Sequence, residues 1–243
     1  MKKTLVACLP LLFALTAHAE DAHWAYDGEG APEHWGELSP EFALCSKGQN
    51  QTPVDIKGAL KAGLTPLHLH FAAGAQQIVN NGHTVQINVA PGSTLTLDGD
   101  SFVLQQFHFH TPSENHINGH AFPLEAHFVF KDKDGELAVL AMMFKEGKEN
   151  QQLAQAWKSM PKEKGDPSAL AAPVDIHALL PKKLAYYRFS GSLTTPPCSE
   201  GVRWLVLHDS GTASKAQIEH FAEAVHHHNN RPLQALHGRV ITD

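Results

Sequence analysis

Cysteine is scarce in this sequence: three in 243 residues, with no C-x-x-C pair, which leaves no basis for a cysteine-built zinc site. Basic residues are outnumbered, 19 Lys and Arg against 25 Asp and Glu, for a formal charge of −6. That balance argues against nucleic acid or an anionic lipid surface as the main partner. The length fits one large domain or two small ones, and no internal repeat and no Gly-, Ser- or Pro-rich linker divides the mature chain. Beyond the first residues no apolar run reaches membrane-span length. Neither H-E-x-x-H nor G-x-S-x-G occurs, so zinc-protease and serine-hydrolase readings have no support.

What is present begins with a leader. Residues 1–19 carry Lys2 and Lys3, then an apolar run, then Ala17-His18-Ala19. This is the pattern of a secretory signal peptide cleaved before Glu20, leaving residues 20–243 as the mature domain. The apolar run is too short for a single-span anchor. Leu5-Val6-Ala7-Cys8 resembles a lipoprotein processing site, but only seven residues precede the cysteine and the apolar stretch continues past it. Cleavage makes the chain two charges more negative and leaves Cys45 and Cys198. In an oxidising compartment such a pair favours a disulfide over two free thiols.

The body of the chain, with 42% hydrophobic and 18% charged residues, has the composition of a protein with a core. Short β segments dominate: Leu67–Phe71, Gln77–Val79, Val85–Val89, Leu95–Leu97, Phe102–His110, Leu124–Phe130, Leu137–Phe144, Tyr186–Ser190 and Arg203–His208. Asn81-Gly82, Pro91-Gly92, Asp98-Gly99 and Asp134-Gly135 mark turns. One helix is expected near Asn150–Met160, with Leu153, Trp157 and Met160 on one face. A second starts at Ser214 with a capping-box Gln217 and an Ile218, Phe221, Val225 face. The fold class is β-dominated α+β, a single domain with a few peripheral helices.

Eighteen histidines nearly match the Lys plus Arg total. The segment Gln106-Phe107-His108-Phe109-His110 stands out, because alternation on a strand puts Gln106, His108 and His110 on one face. Glu125-Ala126-His127 repeats the pattern. On neighbouring strands His108, His110 and His127 would supply three imidazoles and leave a fourth tetrahedral position open, as catalytic zinc requires. Gln106 and Glu125 could each hold the outer ring nitrogen of a ligand. His68-Leu69-His70 lacks such company and reads as ordinary strand histidines. Spacing alone leaves both the zinc site and a pair of ordinary histidines open for His108 and His110.

The sequence resembles the α-class carbonic anhydrases, of the secreted bacterial type, from about Trp24 to Ile241. Matching pieces occur in the family's order: His23-Trp24-Ala25-Tyr26, Pro32-Glu33-His34-Trp35-Gly36, Gln51 to Ile56, Asn80-Asn81-Gly82-His83, Gln106 to His110, Glu125-Ala126-His127, Ser192 to Pro197, and Asn230-Arg231-Pro232 with Gln234. The resemblance implies a large, mostly antiparallel twisted sheet and a periplasmic zinc lyase. Its reaction would be reversible hydration of carbon dioxide to bicarbonate and a proton by zinc-bound hydroxide. It implies His108, His110 and His127 as zinc ligands, Gln106 and Glu125 behind them, and Thr194 pinned by Glu114. His83 is the implied proton shuttle. Val129, Val139, Leu193, Thr195, Val202 and Trp204 form the implied carbon dioxide wall, and Cys45–Cys198 the disulfide of secreted members.

Two positions depart from animal members: Thr111 replaces a tryptophan and Asn115 a histidine. His226-His227-His228 matches no functional motif and reads as a solvated helix terminus. The implied partners are carbon dioxide and bicarbonate, without nucleic acid or a membrane span. Secreted bacterial members are often homodimers. The rivals are a non-catalytic binding module on the same fold and a periplasmic zinc-binding protein.

Overall fold

The computed structural model describes residues 22–72, 74–226 and 228–243. The leader with Cys8, its cleavage point before Glu20, and His227 lie outside the described residues. The strands are β1 (Asp55–Ile56), β2 (His68–His70), β3 (Ala75–Asn80), β4 (Val85–Val89), β5 (Thr94–Leu97), β6 (Asp100–His110) and β7 (His116–Ile117). They continue as β8 (Leu124–Lys131), β9 (Leu137–Glu146), β10 (Ser168–Val174), β11 (Tyr186–Ser192), β12 (Glu200–Leu207) and β13 (Gly211–Ala213). The α-helices are α1 (Trp35–Leu38), α2 (Leu44–Lys47), α3 (Gln151–Trp157), α4 (Ile176–Leu179) and α5 (Lys215–Ala224).

Eleven strands make one sheet in the order β10-β3-β4-β6-β8-β9-β12-β11, with β5 on β6, β2 on β5 and β13 on β9. Pairing is antiparallel except where β9 meets β12 and β13. Strands β1 and β7 form a separate parallel pair. The expected mostly antiparallel sheet is therefore present, and every β segment expected from the sequence has its strand.

The central strands β6, β8 and β9 bury both faces, and alternation decides which residues go where. On one face Phe107, Phe109, Ala126, Phe128, Leu140 and Met142 join the main core. Helices α3 and α5 cover that face with Leu153, Trp157 and Phe221. Both helices are capped as their sequences require: Asn150 accepts from the N–H groups of Gln152 and Leu153, and Ser214 and Gln217 form the capping box. Met160 packs into the same core, but from beyond the end of α3. The opposite face carries a second apolar cluster around Val139, Phe189, Val202 and Trp204.

Strand β6 contains a feature the alternation argument alone does not give. Phe102 and Leu104 are even-numbered, Phe107 and Phe109 odd-numbered, yet all four belong to the same buried cluster. The β6–β8 register shifts between Leu104 and Gln106. One extra residue there reverses the parity of everything that follows. The bulge thereby keeps the phenylalanines in the core and turns Gln106, His108 and His110 to the other face.

Strands β1, β7, β10 and β13 were not expected. β10 reads Ser-Ala-Leu-Ala-Ala-Pro-Val, poor in β-branched and aromatic residues. It pairs only with β3, and Pro173 is tolerated because an edge strand need not donate every hydrogen bond. The others have two or three residues each, too short to show a period.

Candidate metal centre

The β6–β8 register sets His108 directly opposite His127, and His110 opposite Glu125. All four point to the face the bulge selected. Ring centroids of the three histidines lie 5.0, 5.4 and 4.5 Å apart. One ring nitrogen from each falls within 4.8 Å of the others, the separation that one small cation can bridge.

Two of the outer nitrogens are hydrogen-bonded and the third faces a carboxylate. His108 Nδ1 lies 2.8 Å from Gln106 Oε1, His110 Nδ1 lies 2.7 Å from the Asn229 carbonyl, and His127 Nε2 lies 3.0 Å from Glu125 Oε1. The Gln106 and Asn229 oxygens fix a proton on the outer nitrogens of His108 and His110 and leave the inner ones with a lone pair. At His127 the nearby Glu125 carboxylate favours the same arrangement by its charge, without hydrogen-bond geometry. The inner atoms are His108 Nε2, His110 Nε2 and His127 Nδ1. His110 Nε2 is buried with no hydrogen-bond partner, the condition a missing cation would relieve. Burial lowers all three histidine pKa values, most strongly those of His108 and His127. The rings are thus neutral, the form that binds metal. A neutral three-imidazole set with one position unfilled by protein suits catalytic zinc.

Glu125 is anchored in turn. Its Oε2 accepts from the N–H groups of Glu114 (2.7 Å) and Asn115 (2.9 Å), and its Oε1 from Asn115 Nδ2 (2.9 Å). Asn115, the departure from animal relatives, thus supplies a side-chain donor to Glu125 while its Oδ1 accepts from Val54 N–H. Thr111, the other departure, donates its hydroxyl to the Pro123 carbonyl and its N–H to Asn229 Oδ1.

Glu114 is buried behind the histidines. Its Oε1 accepts from the Arg231 backbone N–H at 2.8 Å. Its Oε2 faces His110 Nε2 at 3.6 Å and His127 Nδ1 at 3.9 Å. Burial pushes its pKa up to about 8, against the Arg231 N–H and the Thr194 hydroxyl, which both favour the carboxylate. Thr194 is buried beside it.

A cleft of about 140 Å³ opens onto the centre, lined by Trp24, Tyr26, Asn81, His83, Thr84, Gln86, Gln106, His108, His110 and Thr195. His83 sits at a turn held by Asn81 Oδ1, which accepts from the N–H groups of His83 and Thr84. Its ring stacks on Trp24, with centroids 3.7 Å apart and planes 11° from parallel. Burial lowers the His83 pKa, and nearby Lys164 and His23 lower it further. Of the expected apolar wall, Val139, Val202 and Trp204 are buried while Val129 and Leu193 are half-buried in the same cluster. Trp204 sets its ring edge-on to His127 at 4.9 Å. A larger groove of about 620 Å³ lies elsewhere, around Lys61, Leu67 and Tyr186. Among the described residues the three histidines are the one three-residue group that could hold a metal, and they are not there.

Sequence reasoning gave no role to Asn229 or Arg231. Asn229 holds His110 from 119 residues away, through a backbone carbonyl that any residue type would supply. Arg231 falls within Asn230-Arg231-Pro232, but its buried contacts to Gln51, Thr52 and Cys45 leave no mark on spacing. The disulfide joins Cys45 and Cys198 with Cα atoms 5.1 Å apart.

The family model described as eukaryotic-type carbonic anhydrase matches residues 30–243. A carbonic anhydrase of Pectobacterium carotovorum is 57% identical over 242 residues, covering 99% of each chain. The α-carbonic anhydrase of Thermovibrio ammonificans, solved with the inhibitor sulfanilamide, superposes with a TM-score of 0.90 at 47% identity, covering 92% of this chain and 100% of that one. Dioscorin, solved in complex with ascorbate, is 30% identical with a TM-score of 0.84, covering 90% of this chain and 97% of that one.

Proposed function

The chain belongs to the eukaryotic-type carbonic anhydrase family, and from that premise we propose that it catalyses the reversible hydration of carbon dioxide at a zinc ion held by His108, His110 and His127. The observation that carries this reading is the set of three neutral imidazoles within 4.8 Å, two with the outer nitrogen hydrogen-bonded and the third facing the Glu125 carboxylate. Zinc held by these residues would supply a nucleophile near neutral pH, by lowering the pKa of a bound water to about 7 as it does in carbonic anhydrase.

The surrounding residues divide the remaining work. Beside a cation at the histidines, Glu114 Oε2 would be held as the carboxylate, against the neutral form that burial favours. Thr194, donating a hydrogen bond from its hydroxyl to that carboxylate, would keep only a lone pair to offer inward and orient the nucleophile by accepting from it. Val129, Val139, Leu193, Val202 and Trp204 offer an apolar surface to carbon dioxide, and Thr195 a hydroxyl at its edge. His83, half-buried at the cleft mouth, takes the proton outward. Stopped-flow hydration before and after zinc removal tests the whole reading. Activity should vanish with the metal and return on adding zinc. A folded, zinc-loaded protein with no rate above buffer would leave a binding module on the same fold.

The pH dependence follows from His83. Only its neutral form accepts a proton, so kcat rises with pH through its pKa. Lys164 packs against the His83 turn: a Cβ on Gly82 would stand 2.9 Å from Lys164 Cδ. The lysine's charge holds the His83 pKa down. Lys164→Glu should therefore move the acid limb of the kcat profile to higher pH. An unmoved limb would separate Lys164, or His83, from proton export.

On the same reading residues 1–19 are removed and the mature chain is periplasmic, in keeping with its intrachain disulfide, and a homodimer is expected only from the resemblance to secreted bacterial members. Intact mass beginning at Glu20 and light scattering on the periplasmic fraction read both statements.

A further inference from the structure

Asn229 is nearly fully buried and spends its side chain on two separate segments. Its Oδ1 accepts from the Thr111 N–H at 2.8 Å. Its Nδ2 donates to the Phe109 carbonyl at 2.9 Å and to the His83 carbonyl at 3.1 Å. The Thr111 and Phe109 contacts grip the chain on either side of His110, the last residue of β6, whose ring the Asn229 backbone carbonyl already holds. The third reaches the turn that carries His83. Thr84 adds a parallel tie, its hydroxyl donating to the same Phe109 carbonyl at 2.6 Å.

We propose that the Asn229 carboxamide is a positioning residue for proton export, setting the separation between the His83 turn and the His110 strand. This rests on the shuttle reading of His83 given above. A proton relayed through water between two fixed points moves at a rate set by the length and alignment of that path, and small displacements of either end are costly. An asparagine suits the position because one planar group must offer two donors and an acceptor at once. The ring of His110 is held by a backbone carbonyl and so survives replacement of the side chain. The His83 end has no such backbone substitute from this residue.

The test is a double-mutant cycle of Asn229→Ala and His83→Ala, reading kcat and kcat/KM for hydration with and without imidazole. Asn229→Ala should lower kcat about tenfold, a fraction of what a positioned proton acceptor contributes. It should leave kcat/KM within about twofold and regain kcat with imidazole, because the external base bypasses His83. In the His83→Ala background it should change kcat no further. Equal losses in kcat and kcat/KM, or the same kcat loss in both backgrounds, would overturn the proposal while leaving the shuttle intact. A His83→Ala protein with unaltered kcat would instead sink the shuttle reading. Amide exchange in the zinc-free protein gives a readout independent of turnover: the 81–84 turn should exchange about tenfold faster in the variant, with β6 unchanged. Should Asn229→Ala not accumulate folded, Asn229→Asp keeps the volume and the acceptor for Thr111 but sets a carboxylate against the Phe109 and His83 carbonyls, so amide exchange in the zinc-free protein is its readout. The same pattern is expected of it, and a wild-type exchange rate at the turn would count against the proposal.

Discussion

His110→Ala is expected to yield a folded protein that no longer retains zinc through dialysis and hydrates carbon dioxide no faster than buffer. Losing an outer partner of a metal ligand typically lowers metal affinity about 10–100-fold. Losing a ligand outright removes a metal–nitrogen bond and must exceed that range. His110 is also the ligand whose surroundings have least room to adjust. Its inner nitrogen is buried without a partner, and its outer one is fixed by a backbone carbonyl rather than a movable side chain. No other described histidine stands within reach to replace it. Zinc content by atomic absorption and stopped-flow rate, with circular dichroism as the check on folding, measure the outcome. Gln106→Ala is the natural comparison, since it removes only the side-chain acceptor at His108 Nδ1 and should stay within the smaller range. Stoichiometric zinc in His110→Ala would sink the ligand assignment.

Much of this centre was legible because it is written in strand periodicity. Gln106, His108 and His110, and likewise Glu125 and His127, share faces by simple alternation. The sequence could not show that β6 and β8 are neighbours in the register that faces His108 with His127, since strand order is a property of the whole chain. Family resemblance supplied that step, and with it Glu114, Thr194 and His83, which sit outside any periodic element. The bulge before Gln106 escaped because it appears only as a change of parity, and each half of β6 alternates correctly when read alone. Strand β10 escaped because its alanines and proline carry no strand preference, and its place comes from pairing with β3. Asn229 and Arg231 escaped for a different reason. Their work is done by hydrogen bonds spanning more than a hundred residues, and most of those have a backbone group at one end.

Arg231 also shapes the second large effect, on stability. Reducing the Cys45–Cys198 disulfide should lower unfolding free energy by about 2–5 kcal/mol. The bond closes a separation of 153 residues, which the chain-entropy model places at the upper end of that range. For a domain of this size the shift in Tm should be roughly 5–20 °C. The bridge also lies within a buried network. Arg231 Nη2 donates to the Cys45 carbonyl at 2.8 Å, and Gln51 Nε2 donates to the Cys198 carbonyl at 3.0 Å. Arg231 Nη1 joins the two by donating to Gln51 Oε1 at 2.9 Å, and the guanidinium lies over Trp35. None of these hydrogen bonds uses a cysteine side chain, so they persist in the folded reduced protein. Arg231 N–H continues to hold Glu114. The expectation is therefore a split result: a large loss of Tm with little change in kcat/KM at 25 °C. Reduction of the unmutated protein is the cleaner experiment. Cys198 has φ of 57°, so replacing it with alanine keeps the strained backbone while removing the crosslink and its packing. Melting curves with and without dithiothreitol, each paired with a hydration assay, measure both halves. Coincident melts, with free-thiol titration confirming reduction, would show that the network holds the two segments without the bond. A parallel fall in kcat/KM would show that the bond reaches Glu114 and Thr194 directly.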